Sequence, residues 1–367
     1  MFDRRLVQNF DWGLLGIAML IGCLGLAALY SAVTAEIPAP QKILFYKQLI
    51  WFMIGLCAMV FSFLFNYKLL DRWSQPIYVI CIFMLISVLV FGKYVGGSRR
   101  WLIFGPISIQ PSELVKISII AILAHYYSKD AYTRGFTLRE LIRPFVLTMI
   151  PIVLIVRQPD LGTAMLIVLI AAAMTIFVKI ERRSLIYLIV SSGVIIPLIW
   201  FFLKPYQKQR ILVFLDPDRD PLGAGYHIIQ SKIAIGSGMV SGKGFLKGTQ
   251  NALSFLPEEH TDFIFSVLAE EWGFIGSITL IVFFFILIFW GLNVAMACRE
   301  PFGTILAVGI TSMIFWQVLI NIGMAMGLMP VVGVPLPFIS YGGSSVLTTA
   351  IGIGLLLNVS MRRFLLD

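Results

Sequence analysis

Glu113 and Lys116 stand three positions apart inside an otherwise apolar run, so on a helix they share nearly one face and can pair. Ionisable groups in apolar surroundings are costly, which makes such a pair a candidate for chemistry. Asp160 opens a second apolar run and Asp262 a third. Acids at helix N-termini also complement the macrodipole and cap free N–H groups, and for Asp160 and Glu113 that reading stands beside the functional one. Asp262 differs, because Thr261 can serve as the cap and leave the Asp262 carboxylate spare. Ser266, Ala269 and Gly273 continue its helical stripe. His260 is placed either to orient Asp262 or to be a solvated loop histidine.

Cations accompany these acids. Arg99 and Arg100 lie in a short connection, and Arg210 begins a long one. Lys243 and Lys247 are spaced by Gly242, Gly244 and Gly248, a pattern that cradles phosphate or simply marks turns. Ser344 belongs to the Gly/Ser-rich turn 340–345 ahead of the last apolar run. Cations, helix N-termini and such a turn together describe a phosphate-binding cavity. The competing reading is headgroup anchoring by snorkelling side chains.

The elements that must position these residues follow from composition. Of 367 residues 59% are hydrophobic and 13% charged, and the mean hydropathy is +0.92. That excludes a single water-soluble domain, a nucleic-acid-binding module and a secreted disulfide scaffold. Cys23, Cys57, Cys81 and Cys298 lie in or beside apolar runs without metal-ligand spacing, so neither disulfides nor a zinc site is expected. The tryptophans mostly fall near the ends of apolar runs, as interfacial belt residues do.

Ten runs are long enough to cross a bilayer: 11–33, 45–66, 76–92, 111–127, 143–157, 161–178, 184–203, 263–292, 304–327 and 344–360. An inward N-terminus places fourteen of the 28 Lys and Arg residues in cytoplasmic connections, which fixes the orientation. The first run is too long for a signal-peptide core and reads as an uncleaved helix, although Val33-Thr34-Ala35 imitates a cleavage site. The expected fold is therefore an all-α integral membrane protein, one domain over 1–367. It has ten transmembrane helices, cytoplasmic termini and one ordered extracellular loop, 204–261. Within that loop Asp216 to Pro221 is turn chemistry. His227 to Ile235 reads as a short helix stopped by Gly236 and Gly238, lying on the membrane surface or against the bundle. An outward cavity with carboxylates and cations suits an enzyme acting on a phosphorylated lipid, and equally a transporter.

Five stretches then carry a resemblance: GGSRRWL (96–102), IQPSELVK (109–116), RQPDLGTA (157–164), Asp216 to Gly276, and VVGVPLPFISYGGSS (331–345). In order and across all ten runs, the chain resembles the SEDS family (shape, elongation, division and sporulation). GYHIIQSKIAIGSG and GKGFLKGTQ are closer to its elongation type than to its division type. The resemblance implies a peptidoglycan glycosyltransferase that polymerises lipid II on the outer face of the bacterial cytoplasmic (inner) membrane and releases a polyprenyl pyrophosphate. It implies a class B penicillin-binding protein as partner, membrane lipids as surroundings and no nucleic acid. Asp262, in LPEEHTDF, matches the family's essential acid, and Glu113, Lys116, Asp160 and Arg210 match polar positions lining its central cavity. Arg100, Lys243, His260 and Ser344 complete the expected substrate-binding set. No cofactor is fixed by the sequence, and a divalent cation (Mg or Mn) is compatible with Asp262. One departure is Ser108, where relatives often carry a further Arg; that contact is lost unless Arg99 or Arg100 supplies it. The alternative functions are a flippase for the same lipid-linked precursor and a non-catalytic scaffold.

Overall fold

A computed structural model of the chain describes residues 10–35, 42–95, 98–104, 107–129, 135–202, 204–220, 223–249 and 260–363. Each of the ten apolar runs coincides with one helix: α1 (Trp12–Ala35), α2 (Lys42–Leu64), α3 (Tyr67–Phe91), α4 (Pro111–Ser128), α5 (Leu138–Arg157), α6 (Leu161–Phe177), α7 (Arg182–Phe202), α10 (Ile264–Ala297), α11 (Pro301–Ala325) and α12 (Gly343–Arg362). Two shorter helices, α8 (Pro205–Leu215) and α9 (Ala224–Ser237), belong to the long connection. By length and composition, six of the described helices can cross a membrane: α1, α2, α3, α10, α11 and α12. Residues 1–9, which carry Arg4 and Arg5, and residues 130–134 with Arg134 lie outside the described residues.

Two boundaries differ from expectation for local reasons. α3 starts nearer the N-terminus than residue 76, because Asn66 accepts a hydrogen bond from Lys68 N–H (3.0 Å) and caps it. Pro76 sits inside that helix without ending it. α5 starts at Leu138, where Glu140 accepts from the Thr137 N–H (2.8 Å) in a capping box.

The chain is not wholly α. Between α3 and α4 it forms a three-stranded antiparallel sheet, β1 (Lys93–Val95), β2 (Ser98–Phe104) and β3 (Ile107–Ile109), in the order β1-β2-β3. Trp101, Ile103, Phe104, Ile107 and Ile109 are good strand formers, and Gly and Pro separate the strands. A connection that reads as merely short and polar therefore holds β2, and with it Arg100, at a fixed height.

The bundle is arranged around α4, α11 and α12, whose side chains are almost all buried, while α2 and α3 expose most of theirs. α12 packs closely on α2. A Cβ on Gly354 would lie 2.6 Å from the Met59 carbonyl oxygen, so only glycine lets the backbones approach this far. Buried Gln48 pins α2 to the turn before α12, donating to Ser340 O (3.2 Å) and accepting from Gly342 N–H (3.1 Å). In the long connection, α9 lies against the bundle. Its Ser231 hydroxyl bonds Ala325 O (2.5 Å) and pairs with Ser266 Oγ (2.6 Å). Gly236 does not stop α9, which runs on to Ser237 with Gly238 as its C-cap.

Candidate active site

Pro111 opens α4 at a position where a missing N–H costs nothing, and Gln110 is the N-cap. Glu113 and Lys116 follow in the first turns, only 3% and 1% exposed. Lys116 Nζ donates to Glu113 Oε2 at 2.7 Å, the pairing that makes two buried charges tolerable.

Asp160 is the N-cap of α6, accepting from Thr163 N–H (3.2 Å) and Thr163 Oγ1–H (3.0 Å). Capping is only part of its role. The same carboxylate accepts from Gln110 Nε2 (3.1 Å) and Ser112 Oγ (3.4 Å), and Arg100 Nη1 stands 3.9 Å from its other oxygen. Arg100 also donates to the Pro159 carbonyl and to Gln158 O (3.4 Å). Arg100 is the extra residue at a register shift in β2, since Tyr94 pairs with Arg99 and Lys93 with Trp101. Gln110 completes the group, its backbone N–H donating to Ser344 Oγ at 2.9 Å. Arg100, Asp160 and Ser344 are thus joined through Gln110 and Ser112, immediately before Glu113.

Asp262 sits in a turn clamped from one side. Three successive carbonyls each accept a hydrogen bond: His260 O from Tyr341 N–H (2.8 Å), Thr261 O from Ser340 Oγ (2.6 Å) and Asp262 O from Asn321 Nδ2 (3.1 Å). Asn321 also donates to Val334 O at 2.8 Å, so one buried amide ties the turn to the segment before α12. The His260 and Tyr341 rings meet edge to face at 5.9 Å. Burial pushes the Tyr341 phenol above its ordinary range. The Asp262 carboxylate lies over Gly333, whose φ of +75° suits glycine; a Cβ there would stand 3.5 Å from Oδ2.

This geometry corrects the sequence reading of α10. Thr261 is not its cap, because the N-cap is Phe263, without a side-chain cap, and Asp262 precedes it. The stripe below Asp262 is packing rather than cavity, since Ser266 is engaged by Ser231 and Gly273 breaks the helix. The segment 331–344 unites the two groups, with Gly333 at Asp262, Ser340 and Tyr341 on its turn, and Ser344 on Gln110. Tyr341 and Ser344 are separated by at most about 11 Å of chain.

Two expected residues belong to the long connection and join neither hydrogen-bonded group. Arg210 is half-buried on α8 and makes no hydrogen bond or ion pair among the described residues. Lys243 is held by Glu270 Oε1 (2.6 Å) and Thr249 Oγ1 (2.7 Å). The N–H groups of Lys243 and Gly244 donate to Glu270 O and Glu271 O, so this glycine loop is a set of turns and its N–H groups do not cradle phosphate. An anion would have to displace Glu270 to reach Lys243. Sequence reasoning missed Gln110, Ser112, Asn321 and Ser340. Asn321 carried a signal, a polar residue in the apolar run 304–327. Among the described residues no three His, Cys, Asp or Glu side chains cluster, whereas a Mg or Mn ion shared with a substrate phosphate needs only one or two carboxylates.

Comparison with known proteins places this geometry in a family. The family model for cell cycle proteins of the FtsW, RodA and SpoVE type matches residues 11–364. Peptidoglycan glycosyltransferase MrdB of Escherichia coli K12 is 42% identical over 315 residues, covering 86% of this chain and 85% of that one. A solved structure described as structural coordination of polymerization and crosslinking by a peptidoglycan synthase complex superposes with a TM-score of 0.82 at 32% identity, covering 97% and 98% of the two chains. The rod shape determining protein RodA of Thermus thermophilus superposes with a TM-score of 0.72 at 28% identity, covering 97% and 98%. The chain belongs to the SEDS family, the FtsW, RodA and SpoVE group of cell cycle proteins.

Proposed function

We propose that this chain polymerises lipid II into β-1,4 glycan at the outer face of the bacterial cytoplasmic membrane during cell elongation, as a single ten-span domain with both termini inside. It is a peptidoglycan glycosyltransferase. The reaction converts an α-linked donor into a β linkage, so a single inverting displacement is required. The acceptor hydroxyl loses its proton, its oxygen bonds the donor's anomeric carbon, and the bond from that carbon to the pyrophosphate oxygen breaks. Polyprenyl pyrophosphate leaves with the electron pair.

Asp262 takes the proton or holds the hydroxyl for attack. The observation that carries this assignment is the clamp on residues 260–262, which fixes an acid whose carboxylate faces the open surface of Gly333. The charge developing on the pyrophosphate needs cations, and Arg100 and Arg210 are assigned to it, while Lys116, paired with Glu113 as Lys243 is with Glu270, contributes only if it leaves that pair. Arg210, with no partner among the described residues, is the cation most readily committed to a ligand. Glu113 holds Lys116, while Asp160 and Ser344 hold the wall of the cavity through Gln110. His260 lies beside Asp262 on the same turn. A class B penicillin-binding protein is the expected partner, which accords with the superposed synthase complex.

The test is product analysis in detergent. Purified protein with its partner should turn radiolabelled lipid II into glycan polymer. A flippase has no sidedness to act on in detergent and would yield none. Absence of polymer from a folded, monodisperse complex would refute the proposal.

A further inference from the structure

The segment 238–249 is bound to α10 where that helix is broken. Gly273 has φ +65° and ψ −160°, so the carbonyls of Glu270 and Glu271 and the N–H groups of Phe274 and Ile275 lose their helical partners. The loop replaces them. Lys243 N–H donates to Glu270 O (3.1 Å) and Gly244 N–H to Glu271 O (2.9 Å), while Met239 O accepts from Phe274 N–H (2.9 Å) and Val240 O from Ile275 N–H (3.2 Å). The approach requires glycines. A Cβ on Gly242 would stand 2.1 Å from Glu271 O, and one on Gly273 would stand 2.3 Å from Gly242 N. Two buried carboxylates lock the seat: Glu270 accepts from Lys243 Nζ (2.6 Å) and Thr249 N–H (2.9 Å), and Glu271 accepts from the Ser31 hydroxyl.

What this rigid loop presents is apolar. Met239 is 79% exposed, Val240 63%, Phe245 45% and Leu246 42%. Met239 and Leu246 are held at φ +46° and +63°, left-handed conformations that non-glycine residues adopt at a cost. A firmly seated apolar tip in strained backbone is an interaction surface.

Its level follows from the same hydrogen bonds. Below the break, Phe274 to Ala297 runs about 36 Å of helix, against a hydrocarbon core of about 30 Å. Phe274 and Ile275, each 60% exposed, therefore begin the lipid-facing surface of α10 at the bilayer boundary. Met239 and Val240 are bonded to those two residues and extend that surface sideways. Exposed Lys247 stands in the same loop, as basic residues do beside headgroups.

We infer that Met239, Val240, Phe245 and Leu246 form an apolar foot seated in the bilayer boundary beside the break in α10. Lipid is the occupant because the patch continues a lipid-facing helix. The foot fixes the height of the Gly273 break, and the upper piece of α10 leads from there to Asp262.

The test uses full-length protein in lipid nanodiscs, with the four cysteines replaced and one new cysteine carrying a bimane label. Val240→Cys and Phe245→Cys report on the foot, and Arg219→Cys, on an exposed turn, reports on water. Acyl-chain-brominated phosphatidylcholine should quench both foot labels at least twofold more than the Arg219→Cys label, and iodide should do the reverse, without any partner present. Iodide quenching of both foot labels with no lipid quenching would overturn the inference. So would lipid-independent shielding that arises only when a class B penicillin-binding protein is added, which would make the patch a protein-docking surface. The two foot positions keep the test decisive if one variant fails to fold.

Discussion

Asn321→Ala isolates the clamp on Asp262. The side chain is fully buried and donates to two carbonyls, Asp262 O (3.1 Å) and Val334 O (2.8 Å). Truncation leaves Val334 O buried and unsatisfied, at about 1–3 kcal/mol, and part-buried Asp262 O without this donor, at about 1 kcal/mol, so roughly 2–4 kcal/mol is lost around the turn. The bonds to His260 O and Thr261 O remain, and the turn loosens without opening. If about half of the loss falls on the orientation of Asp262, kcat drops roughly 5- to 30-fold. KM should hardly move, because Asn321 touches only protein. Asn358→Ala supplies the control. That asparagine is equally buried, donates to Ser62 O (2.7 Å) and to Phe65 O, and accepts from Arg362 Nη1, far along α12 from Asp262, so its truncation costs at least as much stability. Asn358→Ala should lose at least as much stability as Asn321→Ala in a thermal-unfolding assay in detergent, and only Asn321→Ala should lose kcat in lipid II polymerisation. Equal kcat losses, or full kcat in a folded Asn321→Ala protein, would refute the reasoning.

The Glu113–Lys116 pair should behave as a buried ion pair: Glu113→Gln or Lys116→Met alone costs about 3–5 kcal/mol, and the double variant costs less than either, as read by thermal unfolding. Asp160→Asn should keep the α6 cap and most of the stability, whereas Asp160→Ala should lose about 1 kcal/mol more; equal melting temperatures would contradict the capping geometry. Gly333→Ala places a Cβ at positive φ beside Asp262; polymerisation should fall several-fold more than the roughly 1–2 kcal/mol of backbone strain explains, measured as kcat against melting temperature.

Apolar run length was enough to find every long helix, because periodicity and hydrophobicity are local. The pairing of Glu113 with Lys116 was also legible, since helical spacing alone brings positions i and i+3 together. The small sheet around Arg100 was hidden by its short strands. Thr261 was misread as a cap because the onset of α10 is decided by the 331–341 segment, some seventy residues away. Lys243 looked free for phosphate only because Glu270 lies on another element. Gln110 and Asn321 act through contacts across the bundle, and such contacts leave no spacing signal in the chain.

The most direct measurement is the initial rate of lipid II polymerisation by the purified protein together with a class B penicillin-binding protein, comparing wild type with Asp262→Asn. The variant keeps the shape of the side chain and the backbone clamp on residues 260–262 and removes only the charge. Loss of general-base or positioning catalysis predicts a rate at least about 100-fold lower, in a variant that thermal unfolding shows to be folded. A folded Asp262→Asn protein that makes glycan at close to the wild-type rate would contradict the account.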